Sequence, residues 1–494
     1  MSPIRTPSYP LRLVVALLFA AQTVAMSGCA TNPVTGRKQI SLVSEGKELQ
    51  MGAEADPAVI SEYGLYDDQE IQRYVDGVGQ RLGKVSHLPT LTWHFRVLDS
   101  PVVNAFAIPG GYIYITRGIL AYMSSEAQLA GVLGHEIGHV TARHSAQQIT
   151  KQEIAGIGLL ASAVFVSAFR PYSGIAQQGL GLLFLKYSRD NETQADELGV
   201  GYATKAGYDP REIPATYVTL KRIGERSASS LPSFLSTHPD PGDREIRTTQ
   251  LANAAASSAH RPLEIDAPQY RAHIDGLTYG DDPRAGYFVG NRFYHPQLKF
   301  QMIFPQGWKT QNQPSQVVAA SPSGAAMQLT LVKTDDTSLS PSDYVASLQK
   351  KGEVVQANGH SENFRDYPAW VGTVTAQTDQ GNKDFQAVWV RIQPGQFLQI
   401  LGQGNSESAA DQIFASARTI AALTDRDRLN VTPDRVVVTP APRSAPFSDL
   451  WASMGGGAIS LEEGAILNST RAGTVIERGT PIKTVKKGNH PSSS

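Results

Sequence analysis

The sequence predicts an α+β protein in which a mainly helical unit precedes a strand-rich one. Two observations carry this prediction. From Glu45 to about residue 255 apolar residues recur at helical spacing, as in Ile71, Tyr74, Val75, Val78 and Leu82, and again in Leu129, Val132, Leu133, Ile137 and Val140. Beyond residue 285 the pattern changes to short runs, FQMIFP, SQVVAASP, AAMQLTLVKT, AWVGTVTAQT, FQAVWVRIQ and QFLQILGQG, which read as strands. A chain of 494 residues is long enough for several domains with substantial cores.

The first 28 residues read as a secretory signal peptide. Arg5 and Arg12 supply a basic start, LRLVVALLFAAQTVAM an apolar stretch, and Ser27-Gly28 a small-residue end. The next residue, Cys29, is the only cysteine in the chain. Small residues ahead of a cysteine resemble a bacterial lipobox, with Met26 in place of the usual leucine, and imply lipidation of Cys29. Ala30 and Thr31 after it, rather than Asp, imply the outer membrane by the same resemblance. Residues 29–44 are polar and turn-rich, and read as a tether.

Within the helical unit, LTWHFRVLDS and GGYIYITRG alternate as strands. The segment from Ile154 to Leu185 is very apolar, but Arg170, Pro171, Gln177 and Gln178 interrupt it. Neither half reaches the roughly 18–20 apolar residues of a membrane span, so two buried or lid-like helices are expected. NAAASSAHR, residues 253–261, reads as the end of the unit, which gives it the bounds 45–255. A second α+β domain spans 285–424, with helices expected in SPSDYVASLQKKG and SAADQIFASARTIAAL. Its opening, FYHPQLKFQMIFPQGWK, resembles PsbP-like domains. Residues 432–447 read as a linker. The last block, 448–488, contains SDLWASM, AILN and VIERGTPIKTV and is similar to a degenerate LysM module. A small docking appendage without a ligand fits that block equally well.

Charge is balanced, 44 Lys+Arg against 45 Asp+Glu, which removes the electrostatic argument for a nucleic-acid partner. Apolar content of 41% and charged content of 18% suit a globular chain rather than a disordered or polytopic membrane one.

The chemistry lies in LGHEIGHVTARH, residues 133–144. His135 and His139, at i and i+4, share one face of a helix and can grip a zinc ion. Glu136, one step round, suits a base acting on water at the metal. His144 lies roughly 140° from His139 on a continuous helix and is expected to be structural. Gly138, inside the helix, is expected to mark a close packing contact. The third ligand must come from elsewhere, and KYSRDNETQADELGVGYATKAG is a strong helix candidate. Ser188 and Asp190 offer caps, Gly207 a stop, and Glu192 and Asp196 one shared face.

HEIGH followed by SRDNETQAD resembles the zinc metallopeptidases related to the CAAX prenyl endoproteases, including the HtpX-like and BepA-like proteins. NPVTGRKQISLVS and NAFAIPGGYIYITRGIL match the periplasmic lipoprotein branch of that group, so the resemblance covers about residues 31–250. It implies a gluzincin-like fold and one Zn2+ per chain, bound by His135, His139 and Glu192. Glu136 would be the general base and Asp196 the partner that orients a ligand histidine. FLSTHPDPGDREIR also matches, implying that His238 can cap the zinc in a resting state and that Arg244 lies near the reacting carbonyl. GGYIYITRG would be the active-site strand, holding an extended peptide on an exposed edge. The implied function is hydrolysis of misfolded or misassembled envelope proteins, by an enzyme lipid-anchored in the periplasm and able to contact peptidoglycan. The alternative is a chaperone-like or cell-wall-binding lipoprotein with a latched zinc site.

Overall fold

The computed structural model describes residues 29–154, 186–226, 234, 238 and 244–491, apart from 366, 379, 380 and 405. The signal segment and nearly all of the apolar stretch 154–185 lie outside the described residues. Among those described, no helix is long and apolar enough to cross a membrane.

The described residues open on a small sheet. β1 (Cys29–Thr31) and β2 (Lys38–Ile40) form an antiparallel pair. Asn32 holds their turn by accepting from the Val34 and Thr35 N–H groups, and its own amide donates to Ala142 O at 3.1 Å. The segment expected to be a tether therefore packs on the metal-binding helix, because one buried asparagine can satisfy both the turn and a helix-end carbonyl. Two helices follow, α1 (Glu45–Tyr63) and α2 (Gln69–Gly83), the latter capped by Asp68.

A three-stranded sheet comes next, β3 (His94–Leu98), β4 (Ala105–Ile108) and β5 (Tyr112–Thr116), in the order β3-β5-β4. This corrects the expectation for GGYIYITRG. Gly110 and Gly111, both at positive φ (86° and 90°), turn β4 directly back into β5. β5 then pairs β4 on one side and β3, in parallel, on the other. It is the middle strand, with β3 and β4 as the outer two, and all four residues of β4 are buried.

Among the described residues, six helices follow this sheet: α3 (Arg117–Tyr122), α4 (Glu126–Thr141), α5 (His144–Ile154), α6 (Arg189–Ala206), α7 (Ile213–Arg226) and α8 (Arg244–Ser257). The small residues read as a boundary at 253–261 are partly helical. Ala252 is buried in α8 and Ala255 packs against the core, so small size here serves close contact rather than chain freedom. The unit runs on through α9 (Ala267–Ile274) to a short strand, β6 (Thr278–Tyr279). Tyr270, Ile274 and Leu277 share its core.

The strand-rich domain holds β7 (Tyr287–Val289), β8 (Arg292–His295), β9 (Phe300–Ile303), β10 (Lys309–Asn312), β11 (Gln316–Ala320) and β12 (Ala326–Lys333). After α10 (Pro341–Lys350) come β13 (Gln356–Phe364), β14 (Tyr367–Thr378), β15 (Gly381–Gln393) and β16 (Gln396–Gln403). α11 (Glu407–Ala417) and β17 (Ala421–Ala422) close it. An antiparallel seven-stranded sheet, β10-β11-β12-β16-β15-β14-β13, lies beside a four-stranded one, β17-β9-β8-β7. Alternate residues of β15 are buried on both faces. Val388 and Val390 join Met327, Ile400 and Ile413 on one, Ala387 and Trp389 join Tyr344 and Phe397 on the other.

His295 in this domain accepts the Leu298 N–H on Nδ1 at 3.3 Å, and burial pushes its pKa down to about 4. An unfolded chain takes up the proton near pH 6.5 and the folded one does not. Stability is thus fully present above about 6.5 and falls as pH drops to 4, by about 3 kcal/mol for this group. Denaturant midpoints measured across that window should slope upward with pH, and His295→Gln should flatten the slope. An unchanged slope in the variant would assign the acid sensitivity elsewhere.

The final segment is β18 (Asp434–Pro440), β19 (Ala445–Pro446), α12 (Phe447–Ser453), α13 (Leu461–Leu467), β20 (Val475–Ile476) and β21 (Pro481–Lys486). β18 falls inside the stretch expected to be a linker. Its valines explain why: Val436 is buried, and β18 is the middle strand of a sheet ordered β21-β18-β6. This block is built into the helical unit. Val436, Leu467 and Val485 belong to the same apolar core as Leu120, Tyr270 and Leu277. Lys483 is fully buried and donates to Ala121 O and Met123 O, at 2.8 and 2.6 Å, at the C-terminal end of α3. Arg222 donates to Thr470 O, and Glu463 accepts from Tyr122, Tyr279 and Arg226.

Candidate metal centre

Two helices meet at glycines to build the centre. α4 is capped by Ser125, which accepts the Gln128 N–H, and α6 by a reciprocal pair between Ser188 and Asn191. Gly207, at φ 100°, stops α6 in the left-handed conformation. A Cβ on Gly138 would sit 3.1 Å from Ala195 O, and one on Gly199 would sit 3.0 Å from His135 N. The backbones of α4 and α6 are therefore close enough for short carboxylates on one to reach imidazoles on the other.

His135, His139, Glu192 and His238 bring one donor atom each to within 4.8 Å of one another, and all four are buried. His139 Nε2 lies 3.0 Å from His135 Nε2, and His238 Nδ1 lies 3.0 Å from Glu192 Oε1 and 3.4 Å from His135 Nε2. Glu192 oxygens lie 3.4 and 3.5 Å from the two helix imidazoles. Tetrahedral zinc with bonds of about 2.0–2.1 Å spaces its ligands by about 3.4 Å, so the set fits that ion. The orphaned polar atoms agree. Glu192 Oε2, His238 Nε2 and both oxygens of Glu136 are buried without a hydrogen-bond partner in the protein.

Outside the donors, Asp196 Oδ1 faces His135 Nδ1 at 3.0 Å. Asp196 is itself gripped by Arg244, whose Nε and NH2 each reach it at 2.8 Å, by the Tyr217 hydroxyl at 2.7 Å and by Arg247 at 3.2 Å. Arg244 NH1 lies 3.0 Å from Glu192 Oε2, an ion pair without hydrogen-bond alignment. The Tyr217 ring lies under the guanidinium at 4.6 Å. Tyr217, Arg247 and Gln194 were not anticipated from the sequence. Their helical spacing alone does not distinguish them from ordinary surface residues of α6, α7 and α8.

His144 stands outside the donor set. Arg143 adopts φ 58°, which breaks the helix, so α5 starts afresh at His144 and returns it towards the site. Its Nδ1 lies 2.9 Å from His139 Nδ1 and its Nε2 3.0 Å from Gln194 Oε1. The Tyr187 ring stacks on His139 at 3.9 Å.

The charges are set by competition between burial and neighbours. Burial pushes Glu136 up, partly offset by His238 and His135. Burial also acts to raise Glu192 and Asp196, but His238 and His135 hold the first well below the usual range, and Arg244 and His135 the second. For His135, burial and Arg244 press downward, yet Asp196 and Glu192 carry its pKa up to about 9. A metal held here by His135, His139 and Glu192 would supply the counter-charge in place of that proton.

Known proteins share this arrangement of residues in part. Residues 69–250 match the sequence profile of peptidase family M48. This segment is similar to the M48 peptidases. Mitochondrial metalloendopeptidase OMA1 of Arabidopsis thaliana is 34% identical over 242 residues, 49% of this chain and 47% of that protein. The beta-barrel assembly-enhancing protease of Escherichia coli (strain K12) is 30% identical over 275 residues, 52% of this chain and 54% of its own. The chain thus spans about half the length of these relatives. A solution structure of cyanobacterial PsbP (CyanoP) from Synechocystis sp. PCC 6803 covers 27% of this chain and 94% of its own. At 9% identity and TM-score 0.21, that likeness carries no argument. The M48 match includes all four donors, Glu136, Asp196 and Arg244, and ends before the strand-rich domain.

Proposed function

We propose that this chain is a zinc-dependent endopeptidase that hydrolyses peptide bonds in misfolded or misassembled envelope proteins. One observation carries the reading: a buried His135, His139 and Glu192 donor set with the Glu136 carboxylate, which has no hydrogen-bond partner in the protein, beside it. Bound there, zinc supplies a Lewis acid that polarises the scissile carbonyl and makes water acidic near neutrality. Glu136 takes the proton from the attacking water on a free carboxylate oxygen and delivers it to the leaving amine. Its raised pKa suits both halves of that transfer. Asp196 orients His135, and Arg244 neutralises the carboxylates while its NH1, the arm without an aligned hydrogen bond, serves the developing oxyanion.

The outer edge of β4, Ala105–Ile108, buried here, is the place for an extended peptide, pairing strand to strand once uncovered. Phe234 and His238 lie near the start of that strand, since the Phe234 N–H donates to Val103 O at 3.4 Å and its ring stacks on His238. That arrangement supports His238 as a fourth donor that excludes water until a substrate displaces it, the latched state of the chaperone-like alternative. Lipidation of Cys29 would place the enzyme on the periplasmic face of the outer membrane. The β18-α12-α13-β21 order is the support for a LysM-like contact with peptidoglycan.

The test is digestion of an unfolded protein by the full chain and by His238→Ala, with zinc content measured in both. The variant is expected to keep at least one half of the wild-type zinc and to digest the substrate several-fold faster. A zinc-loaded variant that is no faster than wild type removes the latch. Absence of any zinc-dependent cleavage in both removes the peptidase reading.

A further inference from the structure

We infer that His144 and Gln194 form a positioning pair that fixes the tautomer and orientation of His139, so that the His139 Nε2 lone pair is presented to the metal. The inference rests on the zinc-ligand reading of His139 above. A neutral imidazole carries one N–H and one bare nitrogen. His139 Nε2 faces the other donors and must be bare to bind, so its Nδ1 carries the hydrogen. Among the described residues, the partner at that side is His144 Nδ1, 2.9 Å away, which must therefore accept. His144 then carries its own hydrogen on Nε2 and donates it to Gln194 Oε1 at 3.0 Å. The carboxamide oxygen can only accept, so the chain of hydrogen bonds has a single consistent direction: His139 to His144 to Gln194.

Three features hold the pair in place. The left-handed Arg143 returns the chain after α4, and its guanidinium is pinned by Glu48 at 2.8 Å and Val43 O at 2.9 Å. His144 is fully buried, and the stacked Tyr187 ring denies His139 a rotation away. The two helix histidines are thus supported differently. His135 leans on a carboxylate, whereas His139 leans on a neutral relay. Metal sites depend on such outer partners for affinity, commonly by about 10–100-fold.

The experiment is zinc affinity of the full chain by competition with a chromophoric chelator, together with imidazole 15N shifts of His139 in the zinc-loaded protein. His144→Phe, which leaves the His139 N–H without an acceptor, is expected to weaken zinc by about 10–100-fold. His144→Asn, whose Oδ1 replaces the accepting nitrogen, is expected to recover most of that loss. Gln194→Leu should weaken zinc several-fold, while Gln194→Glu, an acceptor only, should match wild type and keep the His139 hydrogen on Nδ1. Equal losses in His144→Phe and His144→Asn, or wild-type affinity in Gln194→Leu, overturn the pairing. Should His144→Phe fail to fold, the part-exposed Gln194 pair decides alone. A wild-type chain that takes up no zinc overturns the function reading as well. Normal zinc uptake with unchanged variants overturns only the relay.

Discussion

Glu136→Gln is expected to lower peptide hydrolysis by on the order of 10²–10⁴-fold while zinc uptake stays near wild type. The asymmetry follows from where the side chain stands. Glu136 is fully buried and lies beside the donor set, not in it, with its Oε1 3.7 Å from His238 Nε2. The amide keeps the shape and loses only the ability to take a proton. Digestion of an unfolded protein, with zinc measured on the same sample, checks both halves. Unchanged digestion would sink the peptidase mechanism, and lost zinc would make Glu136 a ligand.

Ending the chain after residue 429 is expected to cost the peptidase unit several kcal/mol, enough to unfold much of it. The cut removes Val436, Leu467 and Val485 from the shared core, side chains whose burial contributes roughly 1.5–3 kcal/mol each. It also removes Lys483 from the end of α3 and leaves the Ala121 and Met123 carbonyls buried without their donor. Lys483→Met is the gentler probe, because burial already holds that amine well below its ordinary pKa and the thioether fills similar space. Thermal unfolding of both variants reads the effect. A truncated chain with an unchanged melting temperature would return the last block to the status of an appendage.

What the sequence revealed of the site was the part written in short-range spacing. His135, Glu136 and His139 follow from i and i+4 on one helix, and Ser188 and Gly207 mark the ends of the helix that carries Glu192. Gly138 was expected to mark a close approach, and Ala195 is the group approached. His144 was judged on a continuous helix. The left-handed Arg143, a conformation few side chains adopt, breaks that continuity and carries no signal in residue type. The middle position of β5 and the core role of β18 were hidden for a different reason. Strand order is settled by pairing partners, and β18 meets β6 across the whole strand-rich domain.

That last pairing makes the strand-rich domain an insertion whose two ends leave from neighbouring strands, Tyr279 opposite Asp434. The consequence lies in the order of events during synthesis. The core around α3 closes only when Lys483, 362 residues downstream of Ala121, reaches it. Contacts at such separation pay their loop-closure entropy before they gain anything, and form late. The inserted domain, whose partners are local, can fold first and bring the two ends of the gap together. The helical unit, assembled in that sequence, stays incomplete until synthesis has passed Lys483.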